Sequence, residues 1–284
     1  MKNWLIFIFL CLTWGSSFIL IKKGLVAFSP NEVAILRLSI SALAFIPIYF
    51  VMVRDRIPWR KLMPVALVGV LGNGLPAFLY ALAQTKVESS VAGILNSITP
   101  IFVWVTGMMF FASKFKLNHL AGVTIGFLGA GMIVLLNRHF QFRVDMFTLL
   151  IVVATVSYGF SANIVKAYLQ DINPVALTAV ALFIVGIPAI CYSFFTDIYS
   201  SVIHEHSARI SLLALLVLAL AGTALANILF FRLIQNTNAV FASSVAYLIP
   251  VTALGWGLLD GEILGLIHVL GMGLILAGVW MLRR

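Results

Sequence analysis

Residues 80–100 read YALAQTKVESSVAGILNSITP, and residues 230–250 read FFRLIQNTNAVFASSVAYLIP. Each stretch joins the end of one apolar segment, across a short polar interval, to the start of the next. At a spacing of 150 residues, the two stretches place similar residues at several matching positions. These are Tyr80 with Phe230, Ala92 with Ala242, and Pro100 with Pro250. Such a match predicts a duplicated set of helices, as in many membrane transporters.

The duplication extends over most of the chain, with a spacing that drifts slightly. Matched residues lie 144 apart early in each half, 150 apart in the middle and 149 apart towards the end. They are Trp14-Gly15 with Tyr158-Gly159, Ser17 with Ser161, Lys22 with Lys166, Pro30 with Pro174, Gly72 with Gly222, Gly107 with Gly257, Gly122 with Gly271, and Gly129 with Gly278. Small insertions between segments explain the drift, so the sequence predicts a first repeat at 1–137 and a second at 146–284.

The composition places both repeats in a lipid bilayer. Of the 284 residues, 62% are hydrophobic and 10% are charged, and the mean hydropathy is +1.12. A soluble domain has about 25% charged residues, and a disordered chain has low hydrophobicity and high charge, so both classes are excluded. A helix crosses the hydrocarbon core in about 20 residues. Ten such segments are predicted, at 3–22, 33–53, 63–84, 89–111, 117–137, 146–168, 174–196, 210–231, 239–259 and 263–282.

These segments predict an all-α integral membrane protein. Transmembrane strands alternate in polarity, whereas these runs are apolar on all sides. The first segment follows Lys2 and has small residues near its end, like a signal peptide, but no soluble domain follows it. We therefore interpret it as an uncleaved first helix. Cys11 and Cys191 lie within predicted spans and form no Cys-x-x-Cys pattern, which predicts small buried side chains.

The positions of lysine and arginine predict the orientation. With the N-terminus in the cytoplasm, the cytoplasmic side carries eleven basic and two acidic residues, and the opposite side carries six and seven. Both termini are then cytoplasmic. This topology and anionic membrane lipid explain the net charge of +9, and nucleic acid is not an expected partner. Because each repeat has five helices, an odd number, the repeats are inverted relative to each other, which predicts alternating access to a central site.

Motifs of both repeats follow one another in a fixed order along the chain. They are Trp14-Gly15-Ser16-Ser17-Phe18, Lys22, Pro30, Arg37, the stretches 80–100 and 230–250, Gly261-Glu262, and the glycine-rich segment from Gly271 to Gly278. Over essentially the whole chain, this set resembles the drug/metabolite transporter superfamily, specifically its ten-helix members with two EamA-type domains. The resemblance implies a bacterial inner-membrane exporter of amino acids, related metabolites or toxic cations. The chain departs from the family at Ser113-Lys114, where the family usually carries Gly-Glu, which weakens any role for an acidic group there.

Arg37 is the one basic residue that lies within a predicted span rather than at its ends. A charge at the bilayer centre costs about 2.5–3.5 kcal/mol on insertion scales, and less near an interface, which a long side chain can reach. Two interpretations stay open. In the first, Arg37, with Ser41 one turn away, faces a cavity and attracts a carboxylate. In the second, Arg37 is structural, and it binds helix-end carbonyls or pairs with Glu32.

Uncharged polar and aromatic residues recur on matching helical faces of the two repeats. The stripes are Asn73 and Tyr80; Gly93, Asn96, Pro100 and Trp104; Thr223, Asn227 and Phe230; and Ser243, Tyr247 and Pro250. A small amphipathic molecule needs apolar walls with a few placed polar groups, although such residues also connect neighbouring helices. The predicted substrate-binding residues are Trp14, Arg37, Asn73, Tyr80, Asn96, Tyr158, Asn227 and Tyr247.

The remaining motifs do not predict catalysis. Gly122, Gly126 and Gly129, with their counterparts in the last span, predict close helix contact within the chain or in a homodimer. His204-x-His206 lies in a polar loop, and the sequence predicts no catalytic residue, metal site or cofactor. The expected function is a secondary transporter that exports small amphipathic metabolites such as amino acids. The alternatives are a lipid-carrier flippase on the same fold and a membrane-embedded enzyme.

Overall fold

The computed structural model of the chain describes residues 2–52, 57–135, 145–252 and 266–282, and the regular secondary structure in these ranges is all helical. The predicted all-α class is therefore correct for this part of the chain. In chain order, the helices are α1 (Lys2–Gly24), α2 (Pro30–Met52), α3 (Trp59–Ala83), α4 (Ser89–Asn96), α5 (Thr99–Phe110), α6 (Leu117–Leu135), α7 (Met146–Tyr168), α8 (Pro174–Ser193), α9 (Ile198–His204), α10 (His206–Asn236), α11 (Ala239–Thr252) and α12 (Leu266–Leu282).

Seven of the described segments are long and apolar enough to cross a membrane. They are α1, α2, α3, α7, α8, α10, and α4 together with α5. Helices α6, α11 and α12 are shorter and also apolar. The predicted turn at 260–262, between α11 and α12, lies outside the described residues. Helices suit such apolar runs because a helix satisfies its own backbone hydrogen bonds where lipid offers none.

Helix α7 begins and ends where the sequence predicts, and a capping residue defines its start. Asp145 lies just before the helix, and its carboxylate accepts a hydrogen bond from the backbone N–H of Thr148. The hydroxyl of Thr148 accepts in return from the backbone N–H of Asp145. This reciprocal capping satisfies backbone donors that a helix start otherwise leaves unpaired.

The region before α10 differs from the prediction. The polar stretch 200–209 lies between the predicted spans 174–196 and 210–231 and reads as a loop, but α9 occupies part of it, and α10 begins at His206 and continues to Asn236. Arg209 closes the junction, since its guanidinium donates hydrogen bonds to the carbonyls of Val202 and Ile203 in α9. These bonds satisfy carbonyls at a helix end, so polar residues here support a helix rather than a loop.

Two helices contain a wide π-turn at matching positions. In α3 the turn covers Val70–Gly74, and in α10 it covers Leu220–Leu225, which is 150 residues further along the chain. Such turns are rare and often mark functional sites. Each turn includes a glycine, Gly72 in the first half and Gly222 in the second.

These two glycines make reciprocal contacts between the halves. A Cβ atom on Gly72 would lie 2.5 Å from the hydroxyl oxygen of Ser161 in α7, and one on Gly222 would lie 3.0 Å from that of Ser17 in α1. Ser17 and Ser161 are themselves a matched pair of the repeat. The first helix of each half therefore packs closely against the π-turn of the other half.

Helices α6 and α12 pack against each other through glycine. A Cβ atom on Gly278 would lie 2.6 Å from the carbonyl oxygen of Gly122, and one on Gly129 would lie 2.7 Å from that of Gly271. The predicted close helix contact is confirmed, and this contact lies within the chain. Small residues permit it because the two backbones nearly touch.

The fourth predicted span is interrupted. Helix α4 ends at Asn96, and α5 begins at Thr99 with Pro100 in its first turn. Proline has no backbone N–H to bond the carbonyl four residues earlier, and its ring clashes with that carbonyl. For Pro100 this carbonyl belongs to Asn96, so a continuous helix is disfavoured here. In the matching part of α11, before Pro250, residues Ser244–Leu248 form a tighter 3₁₀ turn.

The two cysteines have different surroundings. Cys11 is buried as predicted, but Cys191 is exposed, so its predicted burial was wrong. Cys191 lies one turn after Ile187, another exposed apolar residue of α8. Lipid is as apolar as a protein interior, so an apolar side chain in a membrane helix need not face the protein.

An ion pair connects the two halves at the start of α3. The ammonium group of Lys61 contacts the carboxylate of Asp171, which lies between α7 and α8. The hydrogen bond from Lys61 holds the pKa of Asp171 below its usual value. Exposed pairs of this kind contribute little to stability. The pair nevertheless shows that the start of α3 lies beside the segment between α7 and α8.

Candidate functional site

A cavity lies between the two halves of the chain. It contains about 740 Å³ of empty space, including the part that opens to solvent. Helices α1 to α5 of the first half and α7, α10 and α11 of the second form its wall. The cavity is therefore shared by both halves.

Seven of the eight residues predicted to bind substrate line this one cavity. They are Trp14, Arg37, Asn73, Tyr80, Asn96, Tyr158 and Asn227. These residues come from six different helices and from both halves of the sequence, yet the fold brings them together. Their role in binding a substrate remains a prediction.

Tyr247 is the exception. It is fully buried, and its hydroxyl donates a hydrogen bond to the carbonyl of Val123 in α6 at 2.9 Å. Ser243, which was expected on the same helical face, does line the cavity. The 3₁₀ turn Ser244–Leu248 explains the difference, because about 3.0 residues per turn rotates Tyr247 away from the face of Ser243.

Arg37 lies half-buried in the cavity wall. Its Nε donates a hydrogen bond to the hydroxyl of Thr223 in α10 at 2.8 Å. Glu32, the ion-pair partner considered above, instead accepts hydrogen bonds from the backbone N–H and the hydroxyl of Ser29. Within the described residues, Arg37 forms no ion pair and donates to no helix-end carbonyl. Neither structural interpretation matches these contacts.

Side chains bind three backbone carbonyls in and beside the π-turn of α10. The bonds run from Thr223 to Leu218 at 3.2 Å, from Ser41 to Ala219 at 3.0 Å, and from the indole of Trp14 to Gly222 at 3.0 Å. Side-chain donors commonly satisfy carbonyls where the regular helical pattern is broken. Two of the three donors belong to the first half, so this turn is a joint between the halves.

Two asparagines meet where α3 approaches α10. The side-chain amide of Asn227 donates a hydrogen bond to the side-chain oxygen of Asn73. The amide nitrogen of Asn73 has no hydrogen-bond partner among the described residues. A buried donor without a partner costs about 1–3 kcal/mol, and an acceptor on a bound molecule would remove that cost.

Aromatic rings form much of the remaining wall. Tyr80 and Tyr158 come from different halves, and their ring centroids lie 6.2 Å apart in a stacked arrangement. Trp14 packs edge to face on Phe230 at 5.0 Å, again across the halves. The hydroxyl of Tyr80 donates to the side-chain oxygen of Asn96 at 2.7 Å, which fixes the orientation of both groups.

The side chains that line the cavity determine which molecules it can bind. Arg37 is the only charged residue among the described residues that line it. The other polar groups are amides and hydroxyls, set among apolar and aromatic side chains. Within the described ranges, no group of three His, Cys, Asp or Glu residues is arranged to hold a metal ion. The arrangement suits a small molecule with an apolar body and a few polar groups.

The sequence matches the profile of one known family at two places. The profile of the EamA-like transporter family covers residues 2–135 and again residues 146–284. The chain belongs to this family. It is accordingly a membrane transporter, and the long apolar helices described above are transmembrane helices.

Relatives align with this EamA-like transporter over nearly its whole length. An "uncharacterized transporter" of Archaeoglobus fulgidus is 28% identical, over 100% of this chain and 99% of its own. The "uncharacterized inner membrane transporter YedA" of Escherichia coli is 26% identical, over 95% and 87%. A "probable amino-acid metabolite efflux pump" of Salmonella typhimurium is 24% identical, over 98% and 94%. The chain is thus a multi-pass membrane protein with full-length transporter relatives.

A solved crystal structure has a similar fold. It matches 99% of this EamA-like transporter and 96% of its own chain, with a TM-score of 0.72. The two sequences are 15% identical, so the similarity concerns the fold alone. It supports the helical architecture described above.

The predicted stripe in the fourth span was correct only in part. Asn96 lines the cavity, but Trp104 does not, and its ring packs 5.9 Å from that of Phe115. Thr99 and Val103 line the cavity instead, and no sequence pattern identifies them. The break after Asn96 restarts the helix with a different rotation, so positions counted through it no longer share a face.

The histidine pair lies elsewhere. His204 ends α9, His206 begins α10, and both are exposed. Neither residue lines the cavity. The one local cluster that favoured a membrane enzyme is therefore separate from the candidate site.

Proposed function

We propose that this EamA-like transporter is a secondary transporter that exports small amphipathic metabolites, such as amino acids or related compounds, by alternating access to the central cavity. The proposed architecture has ten transmembrane helices in two inverted five-helix repeats, with both termini in the cytoplasm of a bacterium. The observation that carries the proposal is the cavity itself. Polar and aromatic residues selected separately in each half of the sequence line one space between the halves.

The reciprocal contacts support the inverted repeat. Gly72 contacts Ser161, and Gly222 contacts Ser17, so an exchange of the two halves reproduces the pattern. The π-turns lie at equivalent positions as well. An arrangement of this kind lets the halves exchange conformations, which would open the cavity first to one side of the membrane and then to the other.

The class of substrate rests on the cavity lining and on relatives. The apolar and aromatic wall suits the body of a small metabolite, and the amides of Asn73, Asn96 and Asn227 suit its polar groups. The Salmonella typhimurium relative is named a "probable amino-acid metabolite efflux pump". The inner-membrane location follows the name of the Escherichia coli relative, and the orientation follows the excess of basic residues on one side.

Flux measurements test this proposal. The purified full-length chain is reconstituted into proteoliposomes, and efflux of a panel of radiolabelled amino acids is measured. We expect Asn96→Ala and Asn227→Ala each to reduce flux of the transported compound at least about tenfold, since each change removes a buried hydrogen bond to the substrate or to the cavity wall.

Asn118→Ala is the matched control, because Asn118 is exposed at the start of α6 and does not line the cavity. Each variant is checked for folding by gel filtration. Unchanged flux in both cavity variants would contradict transport through this cavity. Movement of a fluorescent lipid analogue without amino-acid flux would instead favour the flippase.

A further inference from the structure

Arg37, the single charge among the described residues of the cavity, has no counterpart in the other half. At the repeat spacing of 144 residues, Arg37 matches Ala181, and at the spacing of 150, Thr223 matches Asn73. The positive charge therefore lies on one wall of the cavity only.

The fold ties down one side of the guanidinium group and leaves the other free. The Nε atom donates to Thr223, and the Thr223 hydroxyl donates in turn to the carbonyl of Leu218. The second of these hydrogen bonds fixes the Thr223 hydroxyl, which is the acceptor for Arg37, against the π-turn of α10. The two terminal nitrogens of Arg37 have no hydrogen-bond partner among the described residues.

A cation held in this way attracts an anion. An unpaired charge in a low-dielectric environment is costly, and a partner of opposite charge removes much of that cost. The two terminal nitrogens of a guanidinium match the two oxygens of a carboxylate in a bidentate pair. No described acidic residue lines the cavity, so within the described part of the chain Arg37 is available to pair with an anion on a bound molecule.

We propose that the substrate carries a carboxylate, that Arg37 binds this carboxylate, and that Thr223 is the residue that positions the guanidinium for it. The cavity then selects carboxylates over the corresponding amides and over organic cations, which Arg37 repels. The aromatic pair Tyr80 and Tyr158 and the ring of Phe230 receive the apolar body of the same molecule. This inference rests on the proposed function for the identity of the site as a substrate site.

The test measures selectivity rather than transport. The full-length protein is purified in detergent, and isothermal titration calorimetry measures the binding of two matched pairs: L-phenylalanine with L-phenylalaninamide, and 3-phenylpropanoate with 3-phenylpropanamide. Members of the second pair differ by one charge at nearly the same size. We expect each carboxylate to bind the wild type about ten- to a hundredfold more tightly than its amide, the range for a hydrogen-bonded charge.

Variants assign this preference to the two residues. Arg37→Gln is expected to abolish the preference, and Arg37→Lys to retain part of it because lysine lacks the planar fork. Thr223→Val removes the acceptor of the Nε hydrogen bond and is expected to reduce the ratio of the two affinities several-fold. Thr223→Ser keeps the hydroxyl and should restore the ratio. Arg232→Gln, which removes an exposed arginine of α10 outside the cavity, should leave the ratio unchanged.

Three results would overturn the inference: equal binding of carboxylate and amide by the wild type, an unchanged ratio in a folded Arg37→Gln protein, or an unchanged ratio in Thr223→Val. If Arg37→Gln does not fold, the wild-type ratio and the two Thr223 variants decide. Binding that depends on Arg37 without any flux in proteoliposomes would sustain this inference and contradict the proposed function. Flux without any preference for carboxylates would do the reverse.

Discussion

At the scale of the residue, Tyr247 shows how side-chain direction depends on local backbone winding. The sequence places it on the stripe of Ser243, yet it bonds to α6 and only Ser243 lines the cavity. Tyr247 is therefore a packing residue, and its hydroxyl serves the contact between α11 and α6. Its chemistry resembles that of Tyr80, but its neighbours give it another role.

Replacement of this tyrosine separates packing from binding. We expect Tyr247→Phe to lower the stability of the folded protein by about 0.5–1.5 kcal/mol, because the buried hydrogen bond to the carbonyl of Val123 is lost. The affinity for substrate and the carboxylate-to-amide ratio should stay the same. Thermal unfolding in detergent measures the first effect, and calorimetry measures the second. An altered ratio with unchanged stability would return Tyr247 to the cavity.

Several residues of the candidate site could be predicted from the sequence, and others could not. Asn73 and Asn227 were identifiable because an amide within an apolar span is costly unless it has a polar partner. Thr99 and Val103 were not, because threonine and valine are common on every face of a membrane helix. Their position depends on the break after Asn96, whose effect on helix rotation cannot be read from the residue types.

At the scale of the element, the contact between α6 and α12 depends on glycine. Gly278 and Gly122 approach so closely that a Cβ atom on Gly278 would meet backbone atoms, which cannot move aside independently. Gly273, five residues earlier in the same helix, has nothing within 4 Å of the position of a Cβ atom. Gly273 is therefore an internal control for Gly278 in the same helix.

A matched pair of substitutions tests this contact. We expect Gly278→Val to destabilise the protein by about 1–3 kcal/mol or more, since the two backbones must separate. Gly273→Val should be neutral within about 0.5 kcal/mol. Thermal unfolding of both variants in the same detergent gives the comparison. Equal stability of the two variants would show that α6 and α12 do not pack through this glycine.

The elements themselves were largely predictable, because hydrophobic length and proline position mark helices in a membrane. Helix α7 has the predicted ends, and Pro30 and Pro174 begin α2 and α8. The π-turns of α3 and α10 were not predicted. A π-turn keeps the apolar character of the helix and shifts only the hydrogen-bond spacing, so hydropathy carries no trace of it.

At the scale of the whole molecule, alternating access requires the two halves to move relative to each other. Lys61 in the first half and Asp171 in the second mark one place where this movement can be stopped. The test protein carries Lys61→Cys and Asp171→Cys in a background with Cys11→Ala and Cys191→Ser, so that the introduced cysteines are the only ones.

Cross-linking these two positions with a short, reducible thiol reagent should reduce flux more than about tenfold, because one state of the cycle becomes inaccessible. A reducing agent should restore flux. The two single-cysteine proteins, treated in the same way, control for the reagent. Full activity of the cross-linked protein would indicate that the halves do not separate at this position.

The one-sided position of Arg37 has an electrical consequence. A fixed charge that changes its position in the membrane voltage does work of about 2.3 kcal/mol per elementary charge for each 100 mV that it crosses. When a simple carboxylate is bound, its negative charge neutralises the charge of Arg37, and the binding site changes its position without a net charge. When the site is empty, it changes its position with the positive charge of Arg37. A negative cell interior then draws the empty site back towards the cytoplasm and leaves the loaded step unaffected. Arg37 would thus couple the return of the empty transporter to the resting membrane voltage, and the Arg37→Gln variant removes that coupling together with the binding preference.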